Sequence, residues 1–218
     1  MAHIVITSGP TRQYLDPVRY LTNSSSGKMG SSLVDAAIAL GHQVTVITGP
    51  VQVAYNAKAK VVEVVTTQQM LEATKEAFSK ADGLIGAAAP CDYMPVQIAS
   101  HKLAKTGDGL QLSLVETPDV VATLASRKKP HQWVVAFALE TEDVRFRAIV
   151  KMSRKACDMI VSNSAEAMNS ETNNVEIILR TGETLEHASG SKPHVAERIL
   201  YHIDEQLVRN SIDRNSTP

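Results

Sequence analysis

Short apolar runs alternate with longer amphipathic segments along most of this chain. The runs are rich in β-branched residues, and several are apolar throughout, as is typical of strands that are covered on both faces. They predict strands over His3–Thr7, Gln43–Thr48, Lys60–Val65, Gly83–Ala88, Trp133–Ala138 and Met159–Ser162. The segments between them have apolar residues at helical spacing, and they predict helices over Lys28–Leu40, Thr67–Lys80, Pro118–Arg127 and Glu142–Ala156.

Glycine and proline residues mark the predicted helix ends. Gly41 follows the first predicted helix, at a position where glycine is favoured. Pro118 and Pro193 fall at first-turn positions, where the missing N–H of proline costs nothing. The alternation of strands and helices indicates an α/β fold, with a doubly wound, mostly parallel, Rossmann-like sheet that has helices on both faces.

The last part of the chain follows a different pattern. Val175–Leu179 and Thr184–His187 flank a turn that contains Gly182, which predicts a late β-hairpin. A final helix is predicted over about His194–Val208. No repeat or low-complexity linker divides the chain, so we expect a single domain over residues 1–210, followed by a flexible polar tail over residues 211–218.

Composition disfavours several classes of partner. The chain has 218 residues, of which 44% are hydrophobic, and its formal net charge is −1. A chain of this size buries a sufficient core without a metal or a disulfide, and its charge balance gives no global reason to bind nucleic acid or an anionic membrane. Cys91 and Cys157 lack the spacing of a metal site or a disulfide framework. With no leader or membrane span in the sequence, we expect a cytoplasmic protein.

The loop after the first predicted strand holds the densest candidate chemistry. Ser24–Gly27 leads directly into Lys28, where the first helix begins. Backbone N–H groups, hydroxyls and the positive end of the helix dipole meet there, which favours an anion-binding cradle. A solvated, serine-capped helix start is the alternative. Because Gly9–Arg12 lies on the same loop, and ligands of open α/β sheets bind beyond the carboxyl ends of strands, we favour a functional role.

Several familiar catalytic motifs are missing. Met29 stands where a Walker loop needs Ser or Thr after the lysine. The second predicted strand ends at Thr48 without the acidic residue that a dinucleotide site uses for the ribose. The sequence also has no Gly-x-Ser-x-Gly and no His-Glu-x-x-His motif. Hydride transfer, serine hydrolysis and zinc proteolysis are therefore disfavoured.

A series of short elements resembles the phosphopantothenoylcysteine synthetase family. They are Gly9–Arg12, Leu15–Tyr20, Asn23–Gly30, Ala87–Tyr93, His101–Lys105, Thr117–Val120, Val135–Thr141 and Asp158–Asn163, and the resemblance extends to about residue 208. It implies a coenzyme A pathway ligase that joins 4′-phosphopantothenate to L-cysteine. In that reaction CTP converts the carboxylate to an acyl-cytidylate with release of pyrophosphate, and the cysteine amine then displaces CMP.

The same resemblance implies partners and a cofactor. Relatives are homodimers, and we expect Mg²⁺ to accompany CTP, although no metal ligand is assigned. Many bacterial relatives are fused to a flavin-dependent decarboxylase. Because this chain starts at Met1 directly on the synthetase signature, we expect a stand-alone ligase with a separate phosphopantothenoylcysteine decarboxylase acting next.

Nucleotide contacts are also implied by the resemblance. They are Gly86, Ala87, Ala88, Asp92, Lys102, Thr117, Pro118, Asp119, Val120, Phe137, Lys151 and Lys155. From the residues alone, other roles stay open. Lys151 and Lys155, four apart on one helix face, could be solvated charges, Phe137 could pack in the core, and Asp92 could cap a loop. The small residues at the end of the fourth strand could serve sheet–helix packing.

The acid substrate is expected on the opening loop. Its implied contacts are Gly9, Thr11, Arg12, Arg19, Asn23, Ser24, Ser25, Ser26 and Gly27. Asn23 and Lys102, which lies on a lysine-bearing flap, are the catalytic candidates, since the Asn23 amide can hold an acyl-nucleotide without adding charge. We expect Asn23→Asp to impair intermediate formation or amide transfer and to leave CTP binding largely intact.

Alternatives to this reading stay open. The ligase could use ATP or a different amine acceptor, or the chain could be a non-catalytic nucleotide-binding module with a Rossmann-like fold. Because the chemistry depends on positioning and charge neutralisation, neither cysteine is expected to act as a nucleophile.

Overall fold

An eight-stranded sheet forms the centre of the protein. The computed structural model describes residues 1–140, 142–164 and 172–209. The strands are β1 His3–Ser8, β2 Arg12–Tyr14, β3 Tyr20–Thr22, β4 Gln43–Thr48, β5 Lys60–Glu63, β6 Gly83–Gly86, β7 Tyr93–Pro95, β8 Leu114–Glu116, β9 Trp133–Glu140, β10 Met159–Ser164, β11 Thr172–Leu179 and β12 Thr184–Ser191. Their order in the sheet is β12-β11-β10-β9-β6-β1-β4-β5. Within the sheet, β10, β9, β6, β1, β4 and β5 pair in parallel in that order, and β11 pairs antiparallel with both β10 and β12. The β2–β3 and β7–β8 pairs are antiparallel and form separate small hairpins.

Helices cover both faces of this sheet. They are α1 Lys28–Ala39, α2 Thr67–Phe78, α3 Val120–Ala125, α4 Val144–Arg154 and α5 Lys192–Ile203, and a π-helical turn, Asp204–Val208, continues α5. Helices α1 and α5 share a core with Ile4 and Ile6 of β1. Val5, which points to the opposite face, packs in a second core with α2, α3 and α4. The predicted α/β fold is therefore confirmed.

The predicted strands of the central sheet are all present, with small differences at their ends. β5 and β6 each end two residues earlier than predicted, at Glu63 and Gly86. The chain nevertheless stays beside the neighbouring strand at both places. The N–H of Val64, after β5, donates to the carbonyl of Thr48 in β4 at 2.9 Å, and the N–H of Ala87, after β6, donates to the carbonyl of Thr7 in β1 at 3.2 Å. The apolar runs thus extend slightly beyond the regular ladder.

Of the three residues predicted to mark the start or the end of a helix, Gly41 and Pro193 lie where they were expected. Gly41 has a φ of 84°, the left-handed conformation that glycine adopts most easily, and Pro193 lies in the first turn of α5. The prediction for Pro118 was wrong. Because the Asp119 side chain accepts the N–H of Ala122 at 3.0 Å and caps α3, that helix begins only at Val120.

The late hairpin is confirmed and is longer than predicted, whereas the β2–β3 and β7–β8 hairpins were not predicted. Each of their strands has three residues, which is too short to establish an alternating pattern. The predicted tail over residues 211–218, residue 210 of the predicted domain and Thr141 lie outside the described residues. None of the described helices combines the length and apolar character needed to cross a bilayer.

Candidate active site

A cavity of about 610 Å³ lies at the carboxyl edge of the sheet, where β6, β9 and β10 end. The loop between β3 and α1, the loop after β6, one side of α4 and the start of α5 surround it. Its lining residues are Thr22–Gly30, Ala87–Pro90, Asp92, Phe137–Leu139, Lys151, Lys155, Asn163, Asn173 and Lys192. This is the position in which open α/β sheets bind ligands.

The cavity brings together part of the predicted site. The predicted residues that line it are Asn23, Ser24, Ser25, Ser26, Gly27, Ala87, Ala88, Asp92, Phe137, Lys151 and Lys155. The predicted residues outside its lining are Gly9, Thr11, Arg12, Arg19, Gly86, Lys102, Thr117, Pro118, Asp119 and Val120.

The segment Ser24–Gly27, which we call the serine wall, lines one side of the cavity directly before α1 begins. Gly27 is the N-cap residue, with a φ of 76°, and it supplies no side chain to the first-turn N–H groups of the helix. The N–H of Lys28 lies 3.5 Å from Ser26 Oγ, which is a long contact for a hydrogen bond. The first turn of α1 therefore presents N–H donors and the positive end of its dipole at the wall of the cavity.

Helix α1 approaches β1 closely enough that only glycine fits at one contact. A Cβ on Gly30 would lie 2.0 Å from Ser8 Oγ. Ser8 is fully buried and accepts a hydrogen bond from the Tyr55 hydroxyl at 2.9 Å. The position of the serine wall thus depends on a glycine in the first turn of the helix.

Asn23 joins two loops at one end of the cavity. Its Nδ2 donates to the carbonyl of Pro90 at 2.9 Å and to Oδ2 of Asp92 at 3.2 Å. The amide is thereby held with a fixed orientation beside a carboxylate, and both side chains line the cavity. The pair links the opening loop to the loop that follows β6.

Thr11 and Gly9 hold the loop after β6 in place through hydrogen bonds. Thr11 is fully buried, and its Oγ1 accepts the N–H of Cys91 at 2.8 Å and hydrogen-bonds Thr67 Oγ1 at 2.7 Å. The carbonyl of Gly9 accepts the N–H of Ala89 at 2.9 Å. These contacts position the loop after β6, although neither residue reaches the cavity.

Arg12 is the first residue of β2 and lies outside the cavity lining. Its guanidinium stands 4.5 Å from the centre of the Tyr20 ring, a cation–π contact. That contact directs the side chain along the hairpin.

Asp16, Arg19 and Leu103 form a contact that we call the flap clamp. Oδ2 of Asp16 accepts the N–H of Leu103 at 3.1 Å and the Arg19 guanidinium at 2.8 Å, and that guanidinium also donates to the Leu103 carbonyl at 2.9 Å. Burial alone would raise the pKa of Asp16, but the N–H groups of Val18, Arg19 and Leu103 together with the Arg19 charge lower it to about 2. Lys102, next to Leu103, is exposed and lines a separate depression formed by residues 97–104.

Lys151 and Lys155 line the cavity from α4 and its C-cap. Lys155 Nζ lies 2.9 Å from Oδ2 of Asp119, so it is already ion-paired. Burial would raise the pKa of Asp119, but the N–H of Ala122 and the Lys155 ammonium lower it. The Asp119 carboxylate thus anchors Lys155 at the edge of the cavity.

The segment that leads into α3 contacts the loop after β6 and not the cavity. Thr117 donates through Oγ1 to the carbonyl of Cys91 at 2.7 Å and through its N–H to that of Asp92 at 2.8 Å. A Cβ on Gly86 would meet the Val121 side chain at 2.4 Å, so this glycine allows α3 to pack on β6. Val120 is buried in the same core.

Phe137 both packs in the core and lines the cavity. Its ring is half-buried, packs against the core beneath α1 and α5, and also lines the cavity. Ala87 and Ala88 line the cavity beside it. Together they form its apolar floor.

The lining also contains residues that were not among the predicted site residues, including Lys28, Asn163, Asn173 and Lys192. Lys192 is 8% exposed, and its Nζ donates to Oδ1 of Asn173 at 3.2 Å. Asn163 Oδ1 is buried and has no hydrogen-bond partner among the described residues. Asn163 could have been predicted, because it ends the Asp158–Asn163 element of the family resemblance. No sequence pattern near Asn173 or Lys192 indicates that they lie at a site.

Positive charge dominates the cavity lining. Lys28, Lys151, Lys155 and Lys192 contribute ammonium groups, whereas Asp92 is the one carboxylate in the described lining. The described residues contain no cluster of three or more His, Cys, Asp or Glu side chains suited to a metal ion. The described part of the lining therefore favours an anionic ligand.

Both cysteines lie outside the lining. Burial raises the pKa of the Cys157 thiol to about 12, although the Lys155 and Lys128 ammonium groups act in the opposite direction. The Cys91 thiol is buried and contacts the carbonyl of Tyr93 at 3.3 Å. Neither cysteine is therefore part of the cavity wall.

Comparison with known proteins links this fold and cavity to one family. The model of the DNA/pantothenate metabolism flavoprotein C-terminal domain matches residues 1–207. The chain is 39% identical over 210 residues to the coenzyme A biosynthesis bifunctional protein CoaBC of Vibrio parahaemolyticus, covering 94% of this chain and 52% of that protein. It is 38% identical over 206 residues to CoaBC of Bacillus subtilis, with 92% and 50% covered. The chain thus spans about half the length of the curated relatives it matches.

A solved structure extends the likeness to three dimensions. The crystal structure of the C-terminal domain of a coenzyme A biosynthesis bifunctional protein CoaBC superposes with a TM-score of 0.81 at 34% sequence identity. The superposition covers 95% of this chain and 96% of that domain.

Proposed function

The chain belongs to the DNA/pantothenate metabolism flavoprotein C-terminal domain family, and from this we propose that it is a phosphopantothenate–cysteine ligase. It would activate the carboxylate of 4′-phosphopantothenate with CTP, release pyrophosphate, and form the amide when the cysteine amine displaces CMP. The observation that carries the proposal is the cavity itself, which places the Asn23–Asp92 pair and the serine wall of α1 in one lysine-lined space.

Each chemical requirement of this reaction has a matching group. A carboxylate and a triphosphate repel each other, so bringing them together needs neutralising charge, and the lining lysines supply it. The Asn23 amide, oriented by Pro90 and Asp92, is suited to hold the acyl-nucleotide without adding a negative charge. The half-buried Phe137 ring offers a face for a base or ribose. The residues therefore act by positioning and charge compensation rather than as nucleophiles.

We expect the required Mg²⁺ to enter with the nucleotide. Mg²⁺ favours oxygen ligands, retains several waters, and is commonly held by one or two carboxylates together with substrate phosphates. Asp92 is the carboxylate of the described lining that would contact it. The donor set therefore fits a nucleotide-borne ion, which would neutralise phosphate charge.

Homodimer formation also belongs to the proposal. Tyr93, Val96, Ile98 and Leu114, on or beside the β7–β8 hairpin, expose 50%, 63%, 60% and 41% of their surfaces. Apolar exposure of this extent on one small hairpin is typical of a surface that pairs with another chain.

Cytoplasmic location and a separate decarboxylase that takes up the product stay predictions.

Pyrophosphate release tests the proposed activity directly. The protein is mixed with CTP, Mg²⁺ and 4′-phosphopantothenate without cysteine, and pyrophosphate is measured; cysteine is then added, and CMP and the amide product are followed by mass spectrometry. We expect pyrophosphate in the first step and product only in the second. A parallel series with ATP determines the nucleotide. No pyrophosphate from either nucleotide would refute a ligase, whereas binding without turnover would favour a nucleotide-binding module.

Asn23→Asp tests the role of the amide. The new carboxylate would face Asp92 Oδ2 across the present 3.2 Å contact and could not donate to Pro90. We expect impaired intermediate formation or amide transfer, with CTP affinity largely kept. Asn56→Asp is a matched control, since Asn56 Nδ2 donates to Oδ1 of Asp35 at 3.0 Å outside the cavity lining. Equal loss of CTP affinity in Asn23→Asp would contradict this assignment.

A further inference from the structure

One buried polar atom of the cavity lining has no hydrogen-bond partner. In the part of the chain that the structure describes, four side chains have such a buried nitrogen or oxygen atom, namely those of His42, Trp133, Ser162 and Asn163. Of these four, Asn163 belongs to the cavity lining. Its Oδ1 has given up hydrogen bonds to water without replacing them within the protein, which costs free energy. A donor on a bound ligand would recover that cost.

The neighbouring strands fix the position of Asn163. It lies near the carboxyl end of β10 and pairs with Leu139 of β9 on one side and with Val175 of β11 on the other. Because the backbone is held on both sides, only the side-chain torsions of Asn163 can change when a ligand binds. A group held in this way loses little conformational freedom on binding, which favours affinity.

Asn163 lies on the same face of the sheet as Phe137. Met159 and Val161 of β10 pack in the core beneath α1 and α5, so the alternation of side chains along a strand places Asn163 on that face too. Phe137 pairs with Val161 and packs against the same core. One strand spacing of about 4.8 Å and two residues along a strand, roughly 6.6 Å, separate the backbones of Asn163 and Phe137. A nucleoside that lies against the Phe137 ring would therefore have an edge within reach of Asn163.

The chemistry of Oδ1 restricts the group that it can bind. An amide oxygen accepts hydrogen bonds and does not donate them, so it matches an O–H or N–H group and not a phosphate or carboxylate oxygen. A nucleoside offers such donors in its ribose hydroxyls and in the exocyclic amine of cytosine or adenine. The acid substrate is expected beside Asn23, which contacts the loop after β6, and β9 separates β6 from β10 in the sheet. The position of Asn163 therefore favours the nucleoside over the acid.

We propose that Asn163 is a nucleotide-binding residue whose Oδ1 accepts a hydrogen bond from the nucleoside part of the triphosphate. The inference rests on the proposed function, because it takes a nucleoside triphosphate as the occupant of the cavity. Dinucleotide sites place an acidic acceptor for the ribose at the end of the second strand, and here that strand ends at Thr48 without one. Asn163 supplies an acceptor at the end of a different strand, and its neutral amide does not repel the polyphosphate.

Nucleotide analogues test this contact. Calorimetry with Mg²⁺ gives the dissociation constants of CTP, 2′-deoxy-CTP, 3′-deoxy-CTP and UTP, which lacks the amine, for the parent protein and for Asn163→Leu. ATP, 2′-deoxy-ATP, 3′-deoxy-ATP and ITP form the parallel series. We expect the variant to bind the parent nucleotide about five- to tenfold more weakly. One analogue should bind the parent protein more weakly by a similar factor and should bind the variant as well as the complete nucleotide does, which identifies the donor. The same affinity ratios in both proteins for every analogue would overturn the inference.

Ser162→Ala is the matched control. Ser162 precedes Asn163 on the same strand, and its Oγ also has no hydrogen-bond partner among the described residues, but it lies outside the cavity lining. We expect unchanged nucleotide affinity in this variant. Replacing an unpaired buried oxygen by an apolar group of similar size costs little stability, so Asn163→Leu should keep the melting temperature of the parent or exceed it. Asn163→Ala, a smaller replacement, should lose the same discrimination between analogues. A lower melting temperature with that discrimination intact would show a structural role and overturn the inference.

Turnover measurements separate this contact from the proposed reaction. In Asn163→Leu the KM for CTP should rise, while the KM values for 4′-phosphopantothenate and for cysteine stay unchanged. A rise in either of those two with KM for CTP unchanged would overturn the inference. Discrimination through Asn163 in a protein that releases no pyrophosphate would show that the proposed reaction, and not the contact, is wrong. Normal turnover without that discrimination would remove the contact and leave the reaction, and a protein that binds neither CTP nor ATP would refute both.

Discussion

Replacing Arg19 with Gln should loosen the flap that carries Lys102 and leave the fold intact. The Arg19 guanidinium holds Asp16 at 2.8 Å and the carbonyl of Leu103 at 2.9 Å. A hydrogen bond from a charged group contributes about 1.5–3 kcal/mol. Because the Arg19 side chain is 35% exposed, we take the lower end of this range, about 1.5 kcal/mol. Losing that free energy increases by roughly tenfold the fraction of molecules in which Leu103 is detached from Asp16.

Hydrogen–deuterium exchange at single-residue resolution measures this effect. The N–H of Leu103 donates to Asp16 at 3.1 Å, so its exchange should accelerate about tenfold in Arg19→Gln. Arg12→Gln is the matched control, because Arg12 lies on the same small hairpin and packs on Tyr20, outside the clamp. An unchanged exchange rate at Leu103, or equal acceleration in the control, would refute the reasoning.

Three further outcomes follow from buried or paired groups. Cys157→Ala should keep turnover, and iodoacetamide should leave native Cys157 unlabelled, because burial raises its pKa to about 12; a folded but inactive variant would contradict this. Gly49→Ala should lower the free energy of unfolding by about 3 kcal/mol in urea titrations, since its Cβ would lie 1.6 Å from the carbonyl oxygen of Pro10, and a smaller loss would mean that the backbone relaxes. Hydrogen bonds from Arg198 are the main cause that lowers the pKa of Glu186 from 4.5 to about 2, so this stabilisation is present above pH 4.5 and is lost as the pH falls towards 2. The melting temperature of Glu186→Gln should therefore fall less over that range, and equal slopes for both proteins would contradict the assignment.

The sheet and the serine wall could be predicted because their signals are local. Each buried strand is a continuous apolar run, and Ser24–Gly27 directly precedes an amphipathic segment that ends at a glycine. Periodicity and helix-start chemistry act over a few residues, so the sequence reveals them without knowledge of tertiary contacts.

The rest of the cavity depends on long-range geometry. Lys192 reaches it only because β11 and β12 both run antiparallel to their neighbours, which turns the start of α5 toward the carboxyl edge. The substrate contact implied for Arg19 stays a prediction, and the structure shows its guanidinium in the flap clamp at 2.8 Å from Asp16. The three-residue spacing of this Asp and Arg was a usable local signal for an ion pair, whereas the contact with Leu103, 84 positions along the chain, was not.

The parallel arrangement of β1 also determines where a fused partner could be attached. Residues 1 and 2 precede β1 at the amino edge of the sheet, and the cavity opens at the other edge, beyond a strand of six residues that spans about 20 Å. A polypeptide joined ahead of Met1 would emerge on the far side of the sheet from the cavity mouth. A segment that preceded β1 would therefore leave the cavity mouth uncovered.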